Sequence, residues 1–275
     1  MTAPFSLYEL FWLFSVYAVL GWCLEVCFCT INTGHFVNRG FLNGPVCPIY
    51  GFGMVLVVLV LTPVSGNLLA LFLGGMVLTS AIELVGGWAL KKLFHTSWWD
   101  YSDQPFNLGG YICLKFSLAW GLCVVAVMRV LQPVIAVFIG FVTGVGGGIP
   151  GYILAALILA AFLCDLAVTV NAVTKLNRRL GAIDDVAQLL HESSEAISER
   201  LGNAALAVDE NVDEKKLETN ARLDLLRASV VDGRHAVVSR LMRAFPNMKS
   251  LGHTDAWEQL QQWLAEKAGP DKKTK

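Results

Sequence analysis

Long apolar runs alternate with short polar stretches until about residue 172, where the pattern changes. A helix crossing hydrocarbon needs about 20 mostly apolar residues. Five segments reach or approach that length: 5–30, 48–62, 67–90, 111–131 and 150–172. Pro4 suits the first turn of the first helix, where a missing N–H costs nothing. The second segment is short, and Gly51 and Gly53 loosen its start, so a re-entrant beginning covered by protein is open there. Residues 132–149 are apolar but bracketed by Pro133 and the glycines from Gly144 to Gly148. That bracketing points to an interfacial or dipping segment rather than a sixth span.

Beyond the last apolar run the spacing becomes amphipathic. Leu176, Leu180, Ile183, Val186, Leu190, Ile197 and Leu201 recur at helical intervals, and Val212, Leu217, Leu223, Leu226, Val230, Val237, Leu241 and Phe245 repeat the pattern. Gly202-Asn203 and the break before Pro246 separate the pieces, and 255–267 reads as a last short helix. Two helices of this kind make an antiparallel hairpin or an intermolecular coiled coil, which would give a homo-oligomer through the tail. Their balanced charge favours solvated outer faces over a membrane-surface anchor. The expected fold is all-α: a polytopic membrane protein of about five transmembrane helices with a cytoplasmic helical tail. Its parts are a transmembrane domain over 1–172, with polar loops at 31–48 and 91–111, a tail over 173–268, and a disordered end at 269–275.

Composition sharpens this division. Of the 275 residues 55% are hydrophobic and 16% charged, against about 25% charged in an average soluble domain. Residues 1–172 hold five Lys/Arg and six Asp/Glu; the rest of the chain holds sixteen of each sign. A net charge of −1 leaves no excess cation to displace counterions from nucleic acid, so that partner is not expected. With five spans, Arg39, Lys91, Lys92, Lys115, Lys175, Arg178 and Arg179 fall on one side, and only Arg129 on the other. Cations collect on the cytoplasmic side of a cell membrane. Both motif loops and the C-terminus are therefore expected in the cytoplasm, with the N-terminus outside.

Known catalytic patterns do not fit. The seven cysteines form no matched CxxC pairs, so neither a zinc module nor another metal site is expected. The glycine run before Ile149 lacks the Lys-Ser/Thr of a phosphate loop. No Gly-x-Ser-x-Gly elbow occurs. Neither an enzyme nor a bound cofactor is expected.

The residues left to carry function are charges in or beside apolar helices. An ionisable side chain at the bilayer centre costs about 2.5–3.5 kcal/mol on insertion scales and usually faces other helices or water. Glu25, Glu83, Asp165 and Lys115 each share a stripe with small residues: Ala18, Gly21 and Cys29; Gly75, Thr79 and Gly87; Ala161 and Thr169; Ala119 and Cys123. Small residues let helices approach closely, so these four charges either line a polar cavity open to the cytoplasm, or Lys115 and Arg39 neutralise the carboxylates and fix helix register. In the loops, Arg39 and Asn43 face the candidates Asp100 and Asp103. A salt bridge from Arg39 to either Asp is the preferred reading, and an anionic ligand or lipid headgroup the alternative. Trp98, Trp99 and Tyr101 read as an aromatic belt at the water interface.

Three stretches, GWCLEV at 21–26, FVNRGFLNGPVCPIYGFG at 36–53 and WWDYSDQPFNLGGYICLKFSLAWG at 98–121, resemble the signatures of bacterial membrane proteins named as putative ABC-transporter permeases, type IV. The resemblance extends over about 5–172, and Glu83 falls where that family tends to carry an acid. It implies a multi-spanning bacterial inner-membrane protein, a transporter subunit. With no Walker A in the sequence, its ATPase is expected on a separate polypeptide. Two rivals stand beside this reading: a non-transporting adaptor or sensor whose tail recruits a cytoplasmic partner, and a membrane enzyme acting on lipid at the Arg39/Asp100 loops.

Overall fold

A computed structural model describes residues 5–145, 148–203, 221, 223–225 and 236–268. The described residues are mostly helical and divide into two compact units. The first comprises Met1–Leu93, Trp98–Val170 and Arg240–Met248; the second comprises Phe94–Ser97, Asn171–Ser239 and Lys249–Lys275.

Helix α1 (Leu7–Thr33) starts at Ser6, whose hydroxyl accepts from the Glu9 N–H while the Glu9 carboxylate accepts from the Ser6 N–H. This reciprocal box satisfies two donors that a helix start leaves open. Gly34, at φ 75°, ends the helix in a left-handed cap. Helix α2 (Pro48–Leu61) begins on Pro48 and runs into one 3₁₀ turn, Thr62–Val64. Helix α3 (Leu68–Phe94) leads to a loop with two short strands, β2 (Asn107–Leu108) paired to β3 (Ile112–Cys113). Then come α4 (Leu114–Ala126) and α5 (Gln132–Val145), joined by a π-helical turn at Val127–Leu131. Helix α6 (Ile149–Asn203) is 55 residues long.

Among the described residues, four stretches are long and apolar enough to cross a membrane: Leu7–Thr33, Leu68–Phe94, Leu114–Gly144 and Ile149–Val186; Pro48–Val64 is shorter. One sequence boundary shifts, and another falls within a continuous helix. Residues 132–145 continue α4 and do not form a separate dipping segment. Pro133 lacks an N–H and its ring crowds the preceding turn, and the wide turn before it takes up that misfit, with the Gln132 N–H bonding the Val127 carbonyl. The boundary expected near Thr174 lies inside α6. No Gly or Pro interrupts residues 152–180, so the helix persists while its surface changes from apolar to amphipathic.

Leu13 and Tyr17 of α1, Val57, Val58 and Leu61 of α2, Leu71 of α3, Val124, Met128, and Ile135 and Ile139 of α5 form the main apolar core of the first unit. Glycine sets the closest approach. A Cβ on Gly21 would lie 2.3 Å from the Tyr50 ring, and one on Gly51 2.6 Å from Phe14, so α1 and α2 could not cross this closely with larger residues. Tyr8 near the start of α1 meets Tyr152 near the start of α6, ring centres 4.6 Å apart and tilted, Arg129 donates to the Ser65 carbonyl, and Asn43, past the end of α1, donates to Asp165 within α6.

In the second unit β1 (Thr96–Ser97) pairs with β4 (Lys249–Ser250). Leu176, Leu180, Ile183 and Val186 are buried, as their spacing predicts. Asp184 receives His253 Nδ1 at 2.7 Å and the Ala256 N–H at 3.0 Å, tying α6 to helix α8 (Thr254–Ala268), which matches the short helix expected at 255–267. The intervening helix α7 (Ala236–Ala244) places Val238 and Leu241 inside. The expected hairpin partner over most of 209–235 and the end at 269–275 lie outside the described residues.

Candidate functional site

The intramembrane charges separate into three different environments. Near the end of α1, the Glu25 carboxylate takes the Tyr50 hydroxyl at 2.5 Å and an ion pair from Arg39 Nε at 3.3 Å. The pair is close but poorly aligned, since Arg39 Nε is buried without a formed hydrogen bond. Arg39 reaches Glu25 because the Gly34 cap turns the chain back along α1. Its ion pair is therefore with Glu25 and not with Asp100 or Asp103, the partners expected from charge alone. The Asp100 carboxylate instead accepts from the Ser102 N–H and hydroxyl, and Asp103 is exposed.

Glu83, on α3, takes the Tyr101 hydroxyl at 3.1 Å. Its second oxygen is buried, with no hydrogen-bond partner. The Phe116 ring stacks on Tyr101 at 4.8 Å and Trp120 meets Tyr50 edge-on at 5.9 Å, so α4 backs both tyrosines. Burial, then the Glu83 carboxylate, pushes the Tyr101 phenol above its ordinary value, and Glu25 adds to the effect. Tyr101 thus stays a hydrogen-bond donor with both carboxylates in electrostatic reach. The stripe carrying Glu83 is packed as its small residues suggest: a Cβ on Gly75 would meet Val124 at 2.8 Å, and one on Gly87 would meet Tyr111 at 2.9 Å.

Asp165 holds the first loop. Its carboxylate accepts from the Asn43 N–H at 3.0 Å, Asn43 Nδ2 at 2.7 Å and the Gly44 N–H at 2.7 Å, with the Thr169 hydroxyl at 3.4 Å. From the other side Arg240 of α7 donates to the Gly40 carbonyl at 2.6 Å, the Phe41 carbonyl at 2.9 Å and Asn43 Oδ1 at 3.2 Å. Burial pulls the Arg240 guanidinium below its ordinary value, and the Asp165 and Cys47 groups oppose that. Asn38 closes the loop on itself, accepting from Trp22 Nε1 and the Gly40 N–H while donating to the Asn43 carbonyl. The Cys47 thiol at its end is pushed up to about 12, by burial first and by Glu25 second.

The four charges expected around one cavity therefore do not gather. Glu25 and Glu83 share a neighbourhood, Asp165 belongs to the loop, and Lys115 is exposed with its ammonium 5.6 Å from the Phe116 ring centre. Ala119 and Cys123 are exposed as well, because α4 packs through Ser117, Gly121, Val124 and Met128. The aromatic belt is likewise corrected. Trp98 is buried between Phe41 and Phe245, each 5.1 Å away, Trp99 donates to the Tyr111 carbonyl, and Tyr101 serves Glu83.

A family model described as Putative ABC-transporter type IV matches residues 12–170. The chain belongs to that family. The matched range holds both carboxylate–tyrosine pairs and the whole first loop, but not Arg240. No curated protein and no solved structure matches the chain.

Sequence reasoning missed Tyr50, Tyr101 and Arg240 as site residues. Both tyrosines stand within the signature stretches, each following the helix that carries its acid, 25 residues after Glu25 and 18 after Glu83. Arg240 carries no local signal, being one of many charges in an amphipathic segment.

Proposed function

We propose that this membrane protein of the ABC-transporter type IV family is the membrane-spanning subunit of a bacterial inner-membrane transport assembly whose ATPase is a separate polypeptide. Glu83 with Tyr101 is the polar point on which transport turns. One observation carries this: among the spans, Glu83 keeps a buried carboxylate oxygen unpartnered, while both Glu25 oxygens are engaged. An intramembrane acid costs about 2.5–3.5 kcal/mol to insert, and a buried acceptor left open adds about 1–3 kcal/mol. Such a cost is retained where the group has work to do.

Tyr8 meets Tyr152 near the starts of α1 and α6, so these two helices start together, which supports five crossings with α2 and its 3₁₀ extension as the short one. The Lys/Arg count puts both motif loops and the C-terminus in the cytoplasm. The test is purification in mild detergent from the membranes of the producing cells. A vanadate-sensitive ATPase should co-elute with the wild type and with E83Q, and E83Q should uncouple it. A folded, monodisperse protein free of ATPase would overturn this reading.

The Arg240 contact favours a second reading, the adaptor or sensor. A tail segment lies against the backbone of a signature loop through three hydrogen bonds of 3.2 Å or less, as expected if a partner bound to the tail is reported to that loop. Under this reading R240M severs the response while E83Q leaves it intact.

A further inference from the structure

The loop between α3 and α4 ties its polar groups to one another and leaves large apolar side chains outside. Asp100 holds Ser102, Asn107 Nδ2 donates to the Ser102 and Gln104 carbonyls, the Gly110 N–H bonds Asn107 Oδ1, and the Tyr101 N–H bonds the Gly110 carbonyl. Its large apolar side chains turn outward: Phe106 is 82% and Leu108 59% exposed. Phe106 has φ 54°, a left-handed conformation that is strained for a bulky residue and persists only when its surroundings impose it. A loop this thoroughly bonded presents Phe106 in a fixed place.

That place is the end of a span. The Phe106 carbonyl accepts from the N–H of Leu114, the first residue of α4, at 3.3 Å. From there Leu114, Leu118 and Leu122, all exposed, run along the outer face of the helix at intervals of four. The outward apolar patch thus continues a surface that lipid chains cover. Cations flank it. Lys115 is exposed on the first turn of α4, and Lys91 and Lys92, in the last turn of α3, hold their ammonium groups 5.3 Å from the Tyr111 ring centre and 4.9 Å from that of Trp88. An ammonium resting on a ring face is attracted weakly when exposed and is free to exchange that contact for a phosphate. The opposing charges in this loop are the exposed Asp103, and Asp100, whose carboxylate accepts from Ser102.

We propose that this loop is an anionic-phospholipid site. Phe106 and Leu108 enter the boundary between headgroups and acyl chains, and Lys91, Lys92 and Lys115 bind the phosphates of the same leaflet. The depth is shallow, because Phe106 adjoins the first residue of the helix and not its middle. A lysine near an anionic surface contributes about fivefold in binding, so three of them confer a marked preference for anionic over zwitterionic lipid.

The test uses the full chain in nanodiscs, with Phe106 replaced by the photocrosslinker p-benzoylphenylalanine. One set contains phosphatidylcholine alone and a second contains phosphatidylglycerol as well. Lipid adducts at position 106 are expected in both, enriched for phosphatidylglycerol in the mixture. Each of K91Q, K92Q and K115Q should lower that enrichment, by about fivefold at most. L108S should lower the adduct yield without moving the melting temperature in detergent, because its side chain already faces outward. Adducts to protein only, as a docked partner chain would give, overturn the proposal. So does a lipid yield indifferent to phosphatidylglycerol and to all three lysine variants. Neither readout depends on Glu83 or on any ATPase.

Discussion

The two signature loops solve the same problem in opposite ways. The loop at 34–47 is held by charges from elsewhere in the fold: Asp165 grips its amide groups, Arg240 its carbonyls, and its own Arg39 returns to Glu25. The loop at 98–113 holds much of itself with its own side chains, sends Trp98 and Tyr101 inward, and exposes Phe106 and Leu108. The difference separates structure from function. Where donors and acceptors are matched, the charge is used up in fixing the fold. Where an acceptor stays open, as on Glu83, the fold gains little from the acid, and its presence has to be explained by chemistry.

Breaking the grip on the first loop should have the largest effect. Asp165 accepts three bonds of 3.0 Å or less, and D165N turns an NH₂ toward donors that need an acceptor. Bonds to a charged group are worth about 1.5–3 kcal/mol each, so the variant should lose about 2–3 kcal/mol, read as a lower melting temperature in detergent. An unchanged melting temperature would mean that the loop is not held from α6.

Next comes Glu25. Its side chain is 26% exposed and that of Arg39 31%, so the pair lies between the surface case of about 0–1 kcal/mol and the buried case of about 3–5 kcal/mol. E25Q should cost about 1–3 kcal/mol, and R39M added to it should restore much of that loss by removing the stranded cation. A double variant as unstable as the sum of the single ones would deny the pairing.

E83Q should move stability least among the acids, by less than about 1 kcal/mol. The amide oxygen still accepts from Tyr101, and the oxygen it replaces had no partner to lose. A larger destabilisation than that of E25Q would invert the comparison between the loops.

Cys47 adds a pH test of how closed the first loop is. Its thiol is held protonated up to about 12, against an ordinary value of 9.0. Thiolate is the reactive form, so maleimide labelling of Cys47 at pH 8 should be far slower than that of a free thiol. The sign for stability follows. An unfolded chain ionises near 9.0 and the folded one near 12, so this group contributes nothing to pH dependence near neutrality and destabilises the fold as pH rises between those values. Rapid labelling at pH 8 would show an open loop.

Much of the membrane architecture was legible, because about 20 apolar residues with few charges admit few other structures. The small residues Gly21 and Gly75, on the stripes of Glu25 and Glu83, pack against neighbouring helices, and helical spacing correctly buried Leu176, Leu180, Ile183 and Val186. Other features were not local. Whether Pro133 ends a helix or is absorbed by a π turn depends on the packing of Ile135 and Ile139 against α1 and α2. The stripe rule failed for Lys115 because Ser117 and Gly121, equally small, give α4 a second face on which to pack. Charge complementarity offered Arg39 three carboxylates, and only the turn at Gly34 decides for Glu25. Arg240 could not be found at all, since its acceptors are backbone carbonyls about 200 residues away in sequence and carry no sequence signal.

The most direct test of the division between the two acids is modification by the membrane-permeant dicyclohexylcarbodiimide in membrane vesicles, with each glutamate read by peptide mass spectrometry. Glu83 should be modified and Glu25 spared, because Glu83 keeps an open oxygen while Arg39 and Tyr50 occupy those of Glu25. Equal modification of the two, or modification of Glu25 alone, would contradict the assignment of Glu83 as the working carboxylate.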